Sequence, residues 1–220
     1  MKLKGARILI TGGPTVEPID PVRALSNKSS GKMGLQLCLE AANRGCRVSF
    51  IYGPGSVDPP PHIDTVRVKT ADEMFESVSE MACNNRFDLV ILAAAVSDYK
   101  PVFVDKKIRS GAESLTIDLK PTRKIIDEVK RVSPDSILVA FKAEFRKSDE
   151  ELKEAARKKL KEADADMVVA NDISREGAGF DHDTNEVIIV TREKVKKVPV
   201  MTKEEVSMVI FDEIEGLPVS

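Results

Sequence analysis

The chain has 220 residues, of which 42% are hydrophobic and 32% are charged, and its formal net charge is -2 at pH 7. This length suits one large α/β domain or two small ones, and the composition is that of an ordinary soluble globular protein. A net charge so close to zero gives no overall field that attracts nucleic acid or a membrane surface, so an anionic ligand needs a local site. No apolar run approaches the roughly 18 residues of a membrane span, and the N-terminus lacks a signal-peptide pattern. We therefore expect a cytoplasmic protein that binds neither nucleic acid nor membrane.

The three cysteines, Cys38, Cys46 and Cys83, are odd in number and show neither CxxC nor CxH spacing. This pattern argues against a disulfide framework and against a zinc site. Buried free thiols are the simpler interpretation.

Short apolar and β-branched runs alternate with helical patterns along the whole chain. Strands are predicted at residues 6–11, 47–52, 64–68, 88–96, 114–119, 136–141, 167–170 and 186–190. Helices are predicted at residues 31–44, after a cap at Thr70 or Asp72, and at 122–132, 148–163 and 203–214. This alternation predicts a Rossmann-like α/β fold, a doubly wound and mostly parallel sheet with helices on both faces. We expect residues 1–220 to form a single domain.

In sheets of this kind, ligands bind beyond the carboxyl ends of the strands. The segments that follow Thr11, Val96 and Phe141 are therefore the places where a site is expected.

Two common nucleotide-binding fingerprints are absent. A dinucleotide fold requires GxGxxG after the first strand and an acidic residue at the end of the second. Here the first strand meets GGPTVE at residues 12–17, and the second strand ends at Tyr52. A phosphate-binding P-loop requires GxxxxGK[ST], but Ser26 replaces its first glycine and Met33 replaces its hydroxyl residue. An NAD(P)-dependent reductase on the same fold is thus disfavoured as the alternative enzyme.

The segment SNKSSGKMG at residues 26–34 directly precedes the first predicted helix. The hydroxyls of Ser29 and Ser30, the backbone of Gly31 and the free amides of a helix N-terminus can together bind an anion. Arg23 and the two lysines of the segment favour a phosphate or a carboxylate. The alternative is that Ser29 or Ser30 merely caps the helix.

Two further segments follow the predicted central strand. Three consecutive alanines at residues 93–95 would let a flat ligand lie against the backbone near Asp98, although a solvated strand end is the plain alternative. The basic run KKIR at residues 106–109 is either a solvated surface or part of a flap, at about 101–113, that closes on a triphosphate.

Four motifs together resemble the phosphopantothenate–cysteine ligase family. They are RALSNKSSGKMG at 23–34, AAAVSDYK at 93–100, KIR at 107–109 and ANDIS at 170–174. They occur in the family's order and at close to its spacing, over essentially the whole chain. In bacterial and archaeal members the ligase is often the C-terminal half of a chain that begins with a flavin-dependent decarboxylase. The resemblance therefore implies either a stand-alone ligase or an excised domain, with such a decarboxylase as a candidate partner.

The resemblance also implies a reaction in coenzyme A biosynthesis. The carboxylate of 4'-phosphopantothenate attacks the α-phosphate of CTP to give an acyl-cytidylate and pyrophosphate, and L-cysteine then displaces CMP. Mg²⁺ would bridge the phosphates, through ligands that the sequence does not identify. A homodimer is expected because the flaps and sheets of the family pair across a two-fold axis. A non-catalytic nucleotide-binding module is the second alternative.

By the same resemblance, Asn27 holds the acyl intermediate and Lys107 clamps the phosphates from the flap. The nucleotide pocket is expected to consist of Ala93, Ala94, Asp98, Lys107, Arg123, Lys124, Ile125, Ile126, Phe141 and Lys159. The candidates for the phosphopantothenate or anion site are Arg23, Ser29, Ser30 and Gly31.

Two departures from the bacterial pattern concern the nucleotide. Lys142 follows Phe141 where bacterial members have alanine, as in the eukaryotic members that use ATP. Ala163 stands where a second lysine usually follows the one that matches Lys159. CTP is favoured, with ATP as the alternative.

Overall fold

The computed structural model describes residues 1–109, 111, 113–180 and 182–218. Helices and strands follow one another along the described residues. In chain order these are β1 (Arg7–Gly12), β2 (Val16–Pro18), β3 (Ala24–Ser26), α1 (Lys32–Asn43), β4 (Arg47–Tyr52), β5 (Asp64–Arg67), α2 (Ala71–Asn84), β6 (Leu89–Leu92), β7 (Tyr99–Pro101), β8 (Leu119–Pro121), α3 (Ile125–Val132), β9 (Ile137–Glu144), α4 (Asp149–Glu162), β10 (Met167–Asp172), β11 (Thr184–Thr191), β12 (Val195–Thr202) and α5 (Lys203–Glu215).

Eight of the strands form one sheet in the order β12-β11-β10-β9-β6-β1-β4-β5. The six strands from β10 to β5 are parallel to their neighbours, and β11 and β12 add an antiparallel edge. The chain builds outward from β1 through β4 and β5, and then returns to place β6 on the other side of β1. That reversal creates a crevice between the carboxyl ends of β1 and β6, where ligands of open α/β sheets bind.

The sheet separates two hydrophobic cores. In β1, Ile8 and Ile10 face the core that contains α1 and α5, whereas Leu9 faces the core that contains α2, α3 and α4. All three side chains are fully buried. Successive strand residues point to opposite faces, so a strand covered on both sides is a continuous apolar run. The prediction of a mostly parallel sheet with helices on both faces is confirmed.

Three helices begin with a complete capping box. Thr70, Ser148 and Thr202 each accept a hydrogen bond from the backbone of a glutamate three residues later, and that glutamate accepts one in return. This reciprocal pair satisfies amide donors that the first helical turn leaves free. Of the two caps predicted for α2, Thr70 is the one confirmed.

Two predicted strands differ from the structure. β6 ends at Leu92, and residues 93–96 leave the sheet, although the Ala95 amide still donates to the Gly13 carbonyl oxygen at 2.9 Å. Consecutive alanines offer little side-chain surface for cross-strand packing, which explains the early end. The predicted half-buried strand at 114–119 was also wrong, since residues 114–118 are exposed and irregular and only Leu119 enters β8.

The β2–β3 hairpin and β12 were not predicted from the sequence, and the predicted burial of the cysteines was only partly correct. The loop that follows β1 contains the β2–β3 hairpin, whose three-residue strands are too short for a periodic pattern. β12 carries Pro199 and two lysines, which disguise it in the sequence but are typical of an edge strand. The cysteines are free, as predicted, but only Cys38 is buried, whereas Cys46 is partly buried and Cys83 is exposed.

Candidate active site

A cavity of about 880 Å³ lies at the carboxyl edge of the sheet, above the crevice between β1 and β6. Three parts of the chain form most of its wall: the segment that leads into α1, the residues that follow β6, and the end of β9 with the facing side of α4. A cavity therefore lies where the sequence predicts a site, after the first strand, the central strand and a later strand.

The first wall is the start of α1. Gly31 has φ 81°, a left-handed conformation, and a Cβ added there would lie 2.5 Å from the Tyr52 hydroxyl oxygen. Only glycine fits that position without strain. The helix has no side-chain cap, although the Ser29 and Ser30 hydroxyls lie 3.4 Å from the Gly31 amide and 3.5 Å from the Lys32 amide. Residues on both sides of the helix start line the cavity, which is where an anion site at a helix N-terminus would lie.

Asn27 joins the first wall to the second. Its side-chain amide donates to the Ala95 carbonyl oxygen at 3.0 Å, while the residue itself is exposed and lines the cavity. The hydrogen bond fixes the plane of the side-chain amide. It leaves the side-chain carbonyl oxygen of Asn27 and the second side-chain N–H to face a ligand.

The second wall follows β6. The Thr11 hydroxyl accepts from the Ala94 amide at 3.3 Å, and the Thr15 hydroxyl accepts from the Ser97 amide at 3.0 Å. These contacts hold the alanine segment against the loop that follows β1. Asp98, at the end of the segment, forms an ion pair with Lys124, which is the residue at the start of α3. Like α1, α3 begins at the cavity without a side-chain cap.

The third wall contains most of the charged groups. The lining carboxylates are Asp98, Glu144, Glu151, Glu154 and Glu162, and the lining lysines are Lys124, Lys142, Lys147, Lys158, Lys159 and Lys203. Four ion pairs join members of these two sets, namely Asp98–Lys124, Glu144–Lys142, Glu151–Lys147 and Glu162–Lys158. Lys159 has no carboxylate within ion-pair distance in the part of the chain that the structure describes. It is therefore a lining cation whose charge a neighbouring acid does not offset.

Glu151 is ionised under all ordinary conditions. The backbone N–H of Ser148 and the ammonium group of Lys147 lower the pKa of Glu151 to about 2. This carboxylate is engaged in capping α4, so it does not act as a base at the cavity.

Loop residues 177–183 close the cavity beside α1; Asp181 lies outside the described residues. The Ser30 hydroxyl donates to the Phe180 carbonyl oxygen at 2.7 Å. Lys203 is 5% exposed, and its ammonium group donates to the carbonyl oxygens of Phe180 at 3.2 Å and His182 at 2.5 Å. The buried ammonium group thus holds the loop against the start of α1.

The structure brings together ten of the predicted site residues. The predicted residues that line the cavity are Asn27, Ser29, Ser30, Gly31, Ala93, Ala94, Asp98, Lys124, Phe141 and Lys159. Their roles stay predictions, because lining a cavity does not establish what a residue does.

Five predicted residues do not line the cavity. Arg123 stacks 4.1 Å from the Phe75 ring centroid and pairs with acids of α2, while Ile125 and Ile126 are buried in the core. Arg23 bonds to Asp20 and to the Ile108 carbonyl oxygen, and Lys107 is exposed on the predicted flap. Ser110 and Ala112, within the predicted flap, lie outside the described residues.

Several lining residues were not predicted as site residues. Asn171, Gly179, Phe180, Asn185 and Lys203 reach the cavity from the end of β10, the following loop, β11 and α5. The GAGF sequence at 177–180 marks a loop. Nothing in the sequence indicates that this loop folds back to α1, because the contact joins residues about 150 positions apart.

The described residues contain no group of three or more His, Cys, Asp or Glu side chains that could hold a metal ion. Most lining carboxylates are also paired with lysines. The residues present do not fit a metal site built from protein ligands alone, whereas they fit a Mg²⁺ ion that arrives on the phosphates of a nucleotide and uses few protein ligands. Among the described helices, none is long and apolar enough to cross a membrane.

Comparison with known proteins agrees with this geometry. Residues 3–217 match the family described as the DNA/pantothenate metabolism flavoprotein C-terminal domain. The chain is 44% identical over 217 residues to the coenzyme A biosynthesis bifunctional protein CoaBC of Thermococcus kodakarensis, covering 98% of this chain and 52% of that protein. It is 40% identical over 218 residues to CoaBC of Bacillus subtilis, with coverage of 98% and 52%. The chain thus spans about half the length of these relatives.

A solved structure is similar along its whole length. The crystal structure of the C-terminal domain of CoaBC superposes with a TM-score of 0.79 at 37% identity, covering 98% of this chain and 97% of that one. The resemblance inferred from the four motifs is confirmed. The chain belongs to the family of the DNA/pantothenate metabolism flavoprotein C-terminal domain.

Proposed function

We propose that this chain is a ligase that joins 4'-phosphopantothenate and L-cysteine in coenzyme A biosynthesis, with a nucleoside triphosphate as the energy source. One observation carries the proposal. Asn27, the alanine segment before Asp98, and Phe141 come from three distant parts of the sequence, and the fold gathers them around one cavity. Relatives of 44% and 40% identity that are named for coenzyme A biosynthesis support the same function.

The two ends of the cavity suit two different anions. α1 and α3 both begin there without a side-chain cap, whereas α2, α4 and α5 each have a capping box. Free helix amides favour negative charge. We assign the start of α1, with Ser29, Ser30 and Gly31, to phosphopantothenate, and we assign the start of α3, with Lys124, to the triphosphate.

The nucleoside lies between these ends in the proposal. Ala93 and Ala94 present an almost bare backbone, and Phe141 lines the same cavity from the neighbouring strand β9. A flat base can lie in that gap and be identified by backbone hydrogen bonds. Lys159 adds a lining cation of α4 that forms no ion pair with any described carboxylate.

The chemistry requires a donor for the acyl group and exclusion of water. In the first step the phosphopantothenate carboxylate attacks the α-phosphate and pyrophosphate leaves; in the second the cysteine amine attacks the acyl carbon and the nucleoside monophosphate leaves. Asn27, oriented by its bond to Ala95, can donate to the oxygen that becomes negative when the amine attacks. A metal ion on the phosphates, Mg²⁺ in this proposal, would offset their charge.

The triphosphate needs more positive charge than the open cavity supplies, because four lining lysines are offset by acids. Lys107 lies on the excursion between β7 and β8, which pair as a two-stranded ribbon. Closure of this flap would bring the exposed Lys107 side chain to the phosphates and would exclude water from the anhydride.

A homodimer is the assembly that we propose. Tyr99, Val102, Phe103, Leu115 and Leu119, on and beside the flap, are each about half exposed, at 46–55%. A group of large apolar side chains in water marks an interaction surface. The candidate flavin-dependent decarboxylase partner, the single domain over 1–220 and the cytoplasmic location stay predictions.

CTP is the nucleotide that we propose, with ATP as the alternative. The test measures pyrophosphate release with each nucleotide and phosphopantothenate, with and without cysteine. We expect a burst of about one pyrophosphate per site without cysteine, and turnover with it. If neither nucleotide gave pyrophosphate, the ligase proposal would fail and the non-catalytic nucleotide-binding module would remain. Thermal stabilisation by NADPH would instead favour the reductase alternative.

A further inference from the structure

Asp20 lies at the turn of the β2–β3 hairpin, and its carboxylate is completely buried. One oxygen, Oδ1, accepts from the backbone amides of Val22 and Arg23, both at 2.7 Å. The other oxygen, Oδ2, accepts from the backbone amide of Ile108 and from the Arg23 guanidinium, both at 3.1 Å. One half of the carboxylate therefore organises its own turn, and the other half holds a residue of the flap 88 positions away.

Arg23 completes the contact with the flap. Its guanidinium also donates to the Ile108 carbonyl oxygen at 3.1 Å. Both backbone polar groups of Ile108 are thus held, the N–H by Asp20 and the carbonyl by Arg23. A further bond, from the Val104 amide to the Ile19 carbonyl oxygen at 3.0 Å, ties the flap to the same turn. Lys107 directly precedes the residue that is held, and its own side chain is exposed.

We propose that Asp20 and Arg23 are positioning residues, which hold the backbone at Ile108 and thereby place Lys107 where it can reach the triphosphate. The inference rests on the proposed function for its catalytic consequence, but the tether itself is a property of the protein without ligand. Arg23 then acts on the flap backbone rather than on an anion in the cavity, which differs from the role predicted for it from the sequence.

The charge of Asp20 suits this role. Burial by itself raises the pKa of Asp20, but the amide donors of Ile108, Val22 and Arg23 and the charge of Arg23 outweigh it, so the pKa lies below its ordinary value. The group is therefore a carboxylate at neutral pH, with two oxygens that both accept hydrogen bonds.

This geometry makes Asp20→Asn a selective perturbation. An asparagine has one accepting oxygen, and the two short bonds to Val22 and Arg23 will keep that oxygen on the turn. Its NH₂ group would then face the Ile108 amide and the Arg23 guanidinium, which are donors themselves. The turn survives, whereas the bonds that Oδ2 accepts from the Ile108 amide and the Arg23 guanidinium are lost.

The first experiment measures hydrogen exchange of the flap amides in the full chain without ligand. For Asp20→Asn we expect the Ile108 amide to exchange roughly 10- to 100-fold faster, because a charge-assisted bond is lost. Glu17→Gln is the matched control. Glu17 is also buried and lies in the same hairpin, but its carboxylate accepts from the Ala71 amide of α2. In Glu17→Gln the Ile108 amide should therefore exchange at the wild-type rate. Unchanged exchange in Asp20→Asn would overturn the tether.

The second experiment asks whether the tether acts through Lys107. We expect Asp20→Asn to raise KM for the nucleotide by roughly 10-fold with a smaller change in kcat, since it loosens the placement of a binding group. Combined with Lys107→Gln it should cause little further loss, because coupled residues are not additive. Full additivity would overturn the role of Asp20 in placing Lys107. If Lys107→Gln alone had no effect, the proposed role of Lys107 would fail, while faster Ile108 exchange would still support the tether.

Discussion

Replacement of Asn27 by aspartate should block the second half of the proposed reaction while sparing the first. The side chain keeps its shape, but the N–H that donates to the Ala95 carbonyl oxygen at 3.0 Å becomes an oxygen. Two oxygens would then face each other without a proton between them. The aspartate must rotate away or carry that repulsion, and it can no longer donate to the acyl oxygen.

The size of the effect follows from the two losses. Removal of one donor to a developing oxyanion typically lowers kcat by about 10²- to 10³-fold. The added carboxylate repels the same oxyanion, and like charges near a protein surface at about 4 Å interact by up to roughly 4 kcal/mol. Because Asn27 is exposed, solvent screens much of that repulsion. We expect Asn27→Asp to form amide at least about 10²-fold more slowly than wild type.

A quenched-flow assay with mass spectrometry separates the two steps. Asn27→Asp should release up to about one pyrophosphate per site and accumulate the acyl-nucleotide, with little amide product. Asn27→Ala is the control, since it removes the donor without adding a charge, and it should be slow but faster than the aspartate variant. Normal amide formation by Asn27→Asp would refute the reasoning. Equal loss of both steps would make Asn27 a structural loop residue.

Three further predictions concern the nucleotide, the flap and acid stability. CTP should show a higher kcat/KM than ATP in the pyrophosphate assay, because a wrong base leaves buried polar groups unpaired, and equal values would contradict this. Lys107→Gln should lower the rate of the first half-reaction by roughly 10- to 100-fold with an unchanged melting temperature, as expected for an exposed lysine that binds phosphate; wild-type activity would point to Lys106 or Arg109 instead. Burial opposes ionisation of Asp172, but bonds from Ser174 and from the Lys147 and Arg146 amides lower its pKa from 3.8 to about 2. Its stabilisation, roughly 2 kcal/mol, is therefore present above about pH 4 and lost as the pH falls toward 2. In denaturant unfolding at pH 7, the free energy of unfolding of Asp172→Asn should be lower than that of wild type by this amount. It should also change less than that of wild type between pH 4 and 2, and an unchanged pH profile would contradict the assignment.

Local patterns determined most of the secondary structure. The strands β1, β4 and β9 each contain a short run of buried apolar residues, and α2 and α4 carry their own capping residues, so neighbouring residues suffice to predict them. The failures occurred where local signals are weak. Residues 93–96 read as strand because alanine is apolar, but they lack the side chains that hold a strand in a sheet.

The motifs determined the family and half of the candidate site for a similar reason. The start of α1 and the segment before Asp98 are each one unbroken stretch of sequence. The first is a loop that leads into a helix, and the second directly follows the end of a strand. Their identity as binding segments could therefore be predicted before their positions in space were known.

Only the tertiary structure decided which side chains meet. The order of the strands, with β6 beside β1, places Asn27 against Ala95, and no local pattern encodes an order in the sheet. The pairing of Lys158 with Glu162 shows which lining lysine of α4 is offset by neighbouring charge, whereas Lys159 forms no ion pair within the part of the chain that the structure describes. Ion pairs, buried carboxylates such as Asp20 and the loop held by Lys203 join residues far apart in the chain, so they depend on distances that exist only after folding.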